Sequence, residues 1–220
     1  DLTPAAITIN TIATDDVINA TEKGADLTLS GTTTNVESGQ TVTVTFGGKN
    51  YTASVASDGS WAATVPAADL AALPEGSASA QASVSNINGN SASAVHNYSV
   101  DSSVPTIIIN TVASDNIVNA SEADAGVTVS GSTTAEAGQI VTITLNSPTV
   151  QTYQATVQAD GSWSINIPAA DLEALTDGSH TLTATVSDLA GNPGSASKGV
   201  TVDTTAPVIS FNTVAGDDVI

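Results

Sequence analysis

A chain of 220 residues with 22 acidic against 3 basic side chains and a net charge of −19 is a poor partner for nucleic acid or an anionic membrane surface, because both demand clustered Lys and Arg. It has no cysteine, which excludes a disulfide framework and a thiolate metal site, and no apolar run long enough to span a bilayer. Cations are its natural counter-charge, and with only 3% aromatic residues each core is built from small apolar side chains that bury little area apiece.

In chain order, a β-branched run ending in Asn-Thr-Ile-Ala leads into an acidic loop, Thr14-Asp15-Asp16-Val17-Ile18-Asn19-Ala20-Thr21-Glu22. The loop recurs as Ser114-Asp115-Asn116-Ile117-Val118-Asn119-Ala120-Ser121-Glu122 and begins again at Gly216-Asp217-Asp218-Val219-Ile220. The copies lie 100 and then 102 residues apart, which marks a tandem array of similar domains. Aligning Asp1, Asp101 and Asp203 gives units over 1–100, 101–202 and the start of a third over 203–220. A chain that stops inside a repeated motif is expected to be a fragment of something longer.

Runs of alternating apolar and polar residues, bounded by Gly, Asn, Asp and Ser, predict seven strands in the first unit. They are Ile7–Ile12, Asp26–Thr33, Thr41–Phe46, Asn50–Ala56, Ser60–Val65, Ser77–Ser85 and Ser93–Val100, named A to G. The second unit repeats them from Ile107 to Val202. The fold class is therefore all-β: tandem immunoglobulin-like β-sandwich domains in an end-to-end array. Asp58-Gly59-Ser60-Trp61, repeated as Asp160-Gly161-Ser162-Trp163, predicts a tight turn that delivers a core Trp to strand E. Pro66–Leu73, repeated as Pro168–Leu175, predicts one helical turn between E and F, with Asp69 or Asp171 as its cap. The C–D tip differs in length between Gly47–Tyr51 and Asn146–Tyr153, as an exposed hairpin end tolerates.

Catalysis has no foothold. His96 and His180 do not recur between units, and no Ser-His-Asp set, phosphate-binding glycine loop or HExxH motif occurs. The chain is read as a non-enzyme.

The acidic loops do imply chemistry. Alternating strand direction places the A–B loop and the residue after strand G at one pole, and the F–G loop at the other. Asp15, Asp16, Asn19 and Glu22 then share a pole with Asp101, and the F–G loop Asp188-Leu189-Ala190-Gly191-Asn192 of the next unit is expected to face them. Two like charges about 4 Å apart repel by roughly 4 kcal/mol at an effective dielectric near 20, and a hard cation reverses the sign. Carboxylate and amide oxygens without Cys or His suit Ca2+, which takes about 6–8 oxygens in a flexible geometry. The first F–G loop, Asn86-Ile87-Asn88-Gly89-Asn90, departs from the pattern and contributes no charge.

Asp203-Thr204-Thr205-Ala206-Pro207, Gly216-Asp217-Asp218-Val219-Ile220, Asp160-Gly161-Ser162-Trp163 and Val186–Asn192 together resemble the bacterial immunoglobulin-like repeats of giant type I-secreted adhesins, the biofilm-associated and RTX adhesins among them. The resemblance implies extender modules on the bacterial cell surface, in which calcium between neighbouring repeats stiffens a monomeric array that projects distal binding domains. Carried onto this sequence, it implies metal ligands at Asp15, Asp16, Glu22, Asp101 and Asp188 for the first junction. For the second it implies Asp115, Glu122 and Asp203, with Asn116 standing where the first loop has its second Asp. Two other readings stay open: a ligand-binding module that recognises glycan or host protein through its C–D tips, and a cell–cell cohesion module that self-associates in calcium.

Overall fold

The computed structural model describes residues 3–146 and 150–212. The third acidic loop and Asp1 lie outside them, as do residues 147–149 of the second C–D tip. Two compact units are present. One comprises 1–105 with the segment 187–193, the other 106–186 with the chain from 194 onward.

In the first unit the elements run β1 (Ala6–Ile7), β2 (Val17–Ile18), α1 (Ala20–Lys23), β3 (Leu27–Thr34), β4 (Thr41–Phe46), β5 (Lys49–Ser54), β6 (Ser60–Val65), α2 (Ala67–Leu70), β7 (Gly76–Ser85) and β8 (Ser91–Val100). They form a three-stranded sheet β1-β3-β6 and a five-stranded sheet β2-β8-β7-β4-β5. Alternation drives the layering. Val42, Val44 and Phe46 of β4 point inward while Thr41 and Thr45 face out, and Ala80, Ala82 and Val84 of β7 meet them from the next strand.

Strand A, expected as one piece over Ile7–Ile12, is divided between the two sheets. β1 pairs antiparallel with β3, and the ladder continues through Thr8 N–H to Thr32 O and Asn10 N–H to Ser30 O, each 2.8 Å. The chain then crosses to the other sheet, where β2 pairs parallel with β8, Ile18 beside Val100. The acidic loop is this crossing.

The second unit repeats the plan with β9 (Ile107–Ile109), β10 (Ile117–Asn119), α3 (Ala120–Ala125), β11 (Val127–Thr133), β12 (Ile140–Asn146), β13 (Gln151–Thr156), β14 (Ser162–Ile167), α4 (Ala169–Glu173), β15 (Gly178–Ser187) and β16 (Pro193–Asp203). Its sheets are β14-β11-β9 and β10-β16-β15-β12-β13.

Each unit has its own core around the expected Trp. Trp61 is 2% exposed and Trp163 1%. Strands β3 and β11 make room for them with glycine: a Cβ on Gly131 would fall 1.8 Å from Ile108 O and 2.5 Å from the Trp163 ring, and Gly31 stands in the same relation to Thr8 O and Trp61. In the first unit Phe46 and Tyr98 stack with ring centroids 4.6 Å apart.

The helical turns after Pro66 and Pro168 are present, but Asp69 and Asp171 do not cap them. The proline is the N-cap residue, without a side-chain cap bond. Asp69 instead accepts from Tyr51 Oη at 2.8 Å and Lys49 Nζ at 2.5 Å, and Asp171 accepts from Tyr153 Oη at 2.7 Å. These bonds tie the C–D hairpin to the E–F connector. Burial, then the Asp69 carboxylate, pushes the Tyr51 phenol up to about 12. No helix among the described residues is long and apolar enough to cross a membrane.

Candidate functional site

The two described acidic loops share one backbone. Ala13, Thr14 and Asp16 have φ of 50°, 70° and 67°, and Ala113, Ser114 and Asn116 have 48°, 64° and 67°. Non-glycine residues enter this left-handed region at a cost, least for Asn and Asp. Asp16 and Asn116 do the same work in it. Asp16 Oδ1 accepts from Ile12 N–H at 2.7 Å, and Asn116 Oδ1 accepts from Val112 N–H at 3.0 Å. Asp15 and Asp115 each close an Asx turn, accepting from Val17 N–H at 3.0 Å and Ile117 N–H at 2.8 Å.

The next turn is a capping box. Asn19 accepts from Thr21 and Glu22 N–H, while Glu22 Oε2 accepts from Asn19 N–H at 3.1 Å. Asn119 and Glu122 repeat it. Sequence reasoning took Glu22 and Glu122 for ligands and missed this role, although Asn-x-x-Glu is the spacing of a capping box. Every recurring acid of the loop thus holds local backbone with one oxygen. In Asp15, Glu22, Asp115 and Glu122 the second oxygen makes no hydrogen bond among the described residues.

Register brings Asp101 and Asp203 to the loops. β2 lies along β8 and β10 along β16, so Asn119 pairs with Asp203, and Asp101 N–H donates to Ile18 O at 3.0 Å. Asp188 belongs to the segment 187–193 of the first compact unit, which is pinned by Asn192. Asp188 Oδ1 accepts from Asn192 N–H at 2.8 Å and its Oδ2 from Asn192 Nδ2 at 3.0 Å. Asn192 Oδ1 in turn accepts from Ala20 N–H at 2.7 Å, and its Nδ2 donates to Asp101 O at 2.9 Å. Asn192 is 1% exposed and Asp188 8%. The start of α1, Asp101 and Asp188 therefore meet on one buried amide.

His96, set aside because it does not recur, binds Asp16 Oδ1 through Nε2 at 2.7 Å. The Ile12 N–H, and after it His96, hold the Asp16 carboxyl below the usual carboxylate range. No sequence signal links positions 80 residues apart. A signal did exist for Glu75 and Asp177, each followed by Gly-Ser, which bond to the chain after β8 and β16.

The donors around α1 are all oxygen, the chemistry a hard divalent cation takes. Among the described residues, however, no three Asp, Glu or His side chains converge into a ready cage. The carboxylates are held one by one by backbone and amide hydrogens rather than aimed at one point.

The model of a bacterial Ig-like domain matches residues 105–204. Over 99% of its length the chain is similar, at 35% identity and a TM-score of 0.59, to a Ca2+-stabilized adhesin that helps an Antarctic bacterium reach out and bind ice, and it spans 54% of that chain. It is likewise similar over 99% of its length, at 33% identity and a TM-score of 0.56, to a structure from a bacterial ice-binding adhesin that bears on host cell surface retention, of which it spans 72%. No curated protein sequence matches it. With two such units, each a β-sandwich around one Trp, the chain belongs to the bacterial Ig-like domain family.

Proposed function

We propose that this chain is a non-enzymatic spacer of a large bacterial surface adhesin, in which calcium fixes consecutive repeats and so carries distal binding domains away from the cell. The observation that carries the reading is similarity over 99% of the chain to two bacterial adhesins. A strand of seven residues rises about 23 Å, so a unit with its loops adds roughly 40 Å of reach. Secretion by the type I route and an extracellular location belong to the same reading.

Calcium is supported by a net charge of −19, by the all-oxygen donor set and by a relative described as Ca2+-stabilized. Asp15, Glu22, Asp101 and Asp188 would hold the ion of the first set. Asp16 would give at most Oδ2, since Oδ1 is committed to Ile12 and His96. Asp115, Glu122 and Asp203 would serve the second. When bound, the ion replaces repulsion between carboxylates with coordination, and binding to the folded state alone raises stability by about 2.7 kcal/mol at a hundredfold excess over Kd. Asp15, Glu22, Asp115 and Glu122 would offer the oxygen that the backbone bond leaves over, whereas Asp188 would have to release a bond to Asn192.

Isothermal titration with CaCl2 and thermal melts in EDTA and in calcium test this. Heat of binding and a higher Tm in calcium are expected, both reduced in Asp101→Asn and Asp188→Asn. No heat and no change in Tm would overturn the calcium reading.

A further inference from the structure

Two acids outside the proposed cation sites hold the chain as it leaves each unit's last strand. Glu75 precedes Gly76, the first residue of β7, which pairs with Val100 at the end of β8. The carboxylate and the residues after Val100 are thus neighbours by register. Glu75 Oε2 accepts from Ser102 N–H at 2.9 Å, and Oε1 accepts from the Ser102 hydroxyl. Lys23 Nζ joins both, 3.3 Å from Glu75 Oε1 and 3.3 Å from Ser102 Oγ.

The second unit repeats the arrangement with a shorter acid. Asp177 Oδ1 accepts from Thr204 N–H and from Thr204 Oγ1, each 2.9 Å, and Oδ2 accepts from the Thr205 hydroxyl. No lysine takes part in the second set among the described residues, so the constant feature is the carboxylate bonded to backbone N–H and hydroxyl. These bonds hold both carboxyls below their usual range, the Ser102 hydroxyl most for Glu75 and the Thr205 hydroxyl most for Asp177. In each case N–H and hydroxyl donors occupy both oxygens of the carboxylate.

We propose that Glu75 and Asp177 are clamps that fix the path of the chain leaving β8 and β16 without any cation. The outgoing segment is then directed by the fold itself, and ion binding elsewhere adds to an order already set. The inference stands apart from the calcium reading, since neither acid belongs to the proposed ligand sets.

Amide hydrogen exchange on the 15N-labelled 220-residue chain in EDTA tests it. Ser102 and Thr204 are expected to be protected. Glu75→Ala should speed exchange at Ser102 roughly tenfold, as the loss of a hydrogen bond to a charged acceptor implies, and leave Thr204 unchanged. Asp177→Ala should do the reverse. Should either alanine variant fail to fold, Glu75→Gln and Asp177→Asn read the same amides with smaller increases. Unprotected amides in EDTA that gain protection only on adding calcium would overturn the proposal, as would variants with unchanged exchange. Because the decisive readings are made without calcium, a failure of calcium to bind leaves them intact.

Discussion

The two acidic loops have the same backbone and the same capping box, yet different surroundings. The first has an Asp at position 16 bonded to His96, and its α1 receives Asn192. The second has Asn116 in the same left-handed conformation, making the same bond to the backbone four residues earlier. Aspartate and asparagine interchange here because the position needs a short side-chain oxygen and tolerance of positive φ, not a charge. Recurrence of an acidic pattern therefore carries two messages. The bonded oxygens build the loop, and the remaining ones carry the negative field that a cation would neutralise.

The largest difference between the regions should follow from Asn192. Asn192→Ala leaves Ala20 N–H and Oδ2 of the buried Asp188 carboxylate without a partner, while Oδ1 keeps the backbone N–H of position 192; each group left unsatisfied costs about 1–3 kcal/mol. Urea denaturation of the first unit should register it. Asn90, the counterpart in the first F–G loop, is less buried and reaches Thr3 O at 3.3 Å, so Asn90→Ala should cost less. Equal losses would break the comparison.

Next come the caps. Asn19→Ala and Asn119→Ala should each cost about 1 kcal/mol by thermal melt. The first should cost slightly more, because Asn19 accepts from two N–H groups and Asn119 from one.

Exchanging the loops' distinctive residues should matter least. Asp16→Asn and Asn116→Asp both preserve the bond to the backbone, so each should leave Tm nearly unchanged at neutral pH. Acid separates them. A carboxyl whose folded pKa is depressed contributes stability that is present above its unfolded value, about 3.9, and lost as pH falls through the folded value. Asp16 is such a group and Asn116 does not titrate. NMR signals of the first loop should therefore move as pH drops below about 4 in wild type. In Asp16→Asn the part of that movement sensed by Ile12 N–H and the His96 ring should disappear.

Much of this was legible in the sequence. Strands β4 and β6 fall on the alternating runs Thr41–Phe46 and Ser60–Val65, because a half-buried strand writes its two faces into its side chains. The core Trp was legible from its Asp-Gly turn. The division of strand A was not, since Ile7, Ile9 and Ile12 alternate well enough for one strand and the crossing depends on three positive φ angles at Ala13, Thr14 and Asp16. Asp69 was misassigned because its partner Tyr51 lies on another hairpin, and no local rule pairs them. Asp101 and Asp188 were expected together as carboxylates; what meets on Asn192 is the Asp101 backbone carbonyl and the Asp188 carboxylate, an arrangement around an amide that a search for charges passes over.

Small-angle X-ray scattering of the 220-residue chain in EDTA and in millimolar calcium tests the central claim most directly. The account predicts a larger maximum dimension and a narrower spread of conformations in calcium, with the change abolished in Asp101→Asn. Superimposable curves in the two buffers would contradict a calcium-rigidified spacer and leave the acidic loops as backbone-capping turns alone.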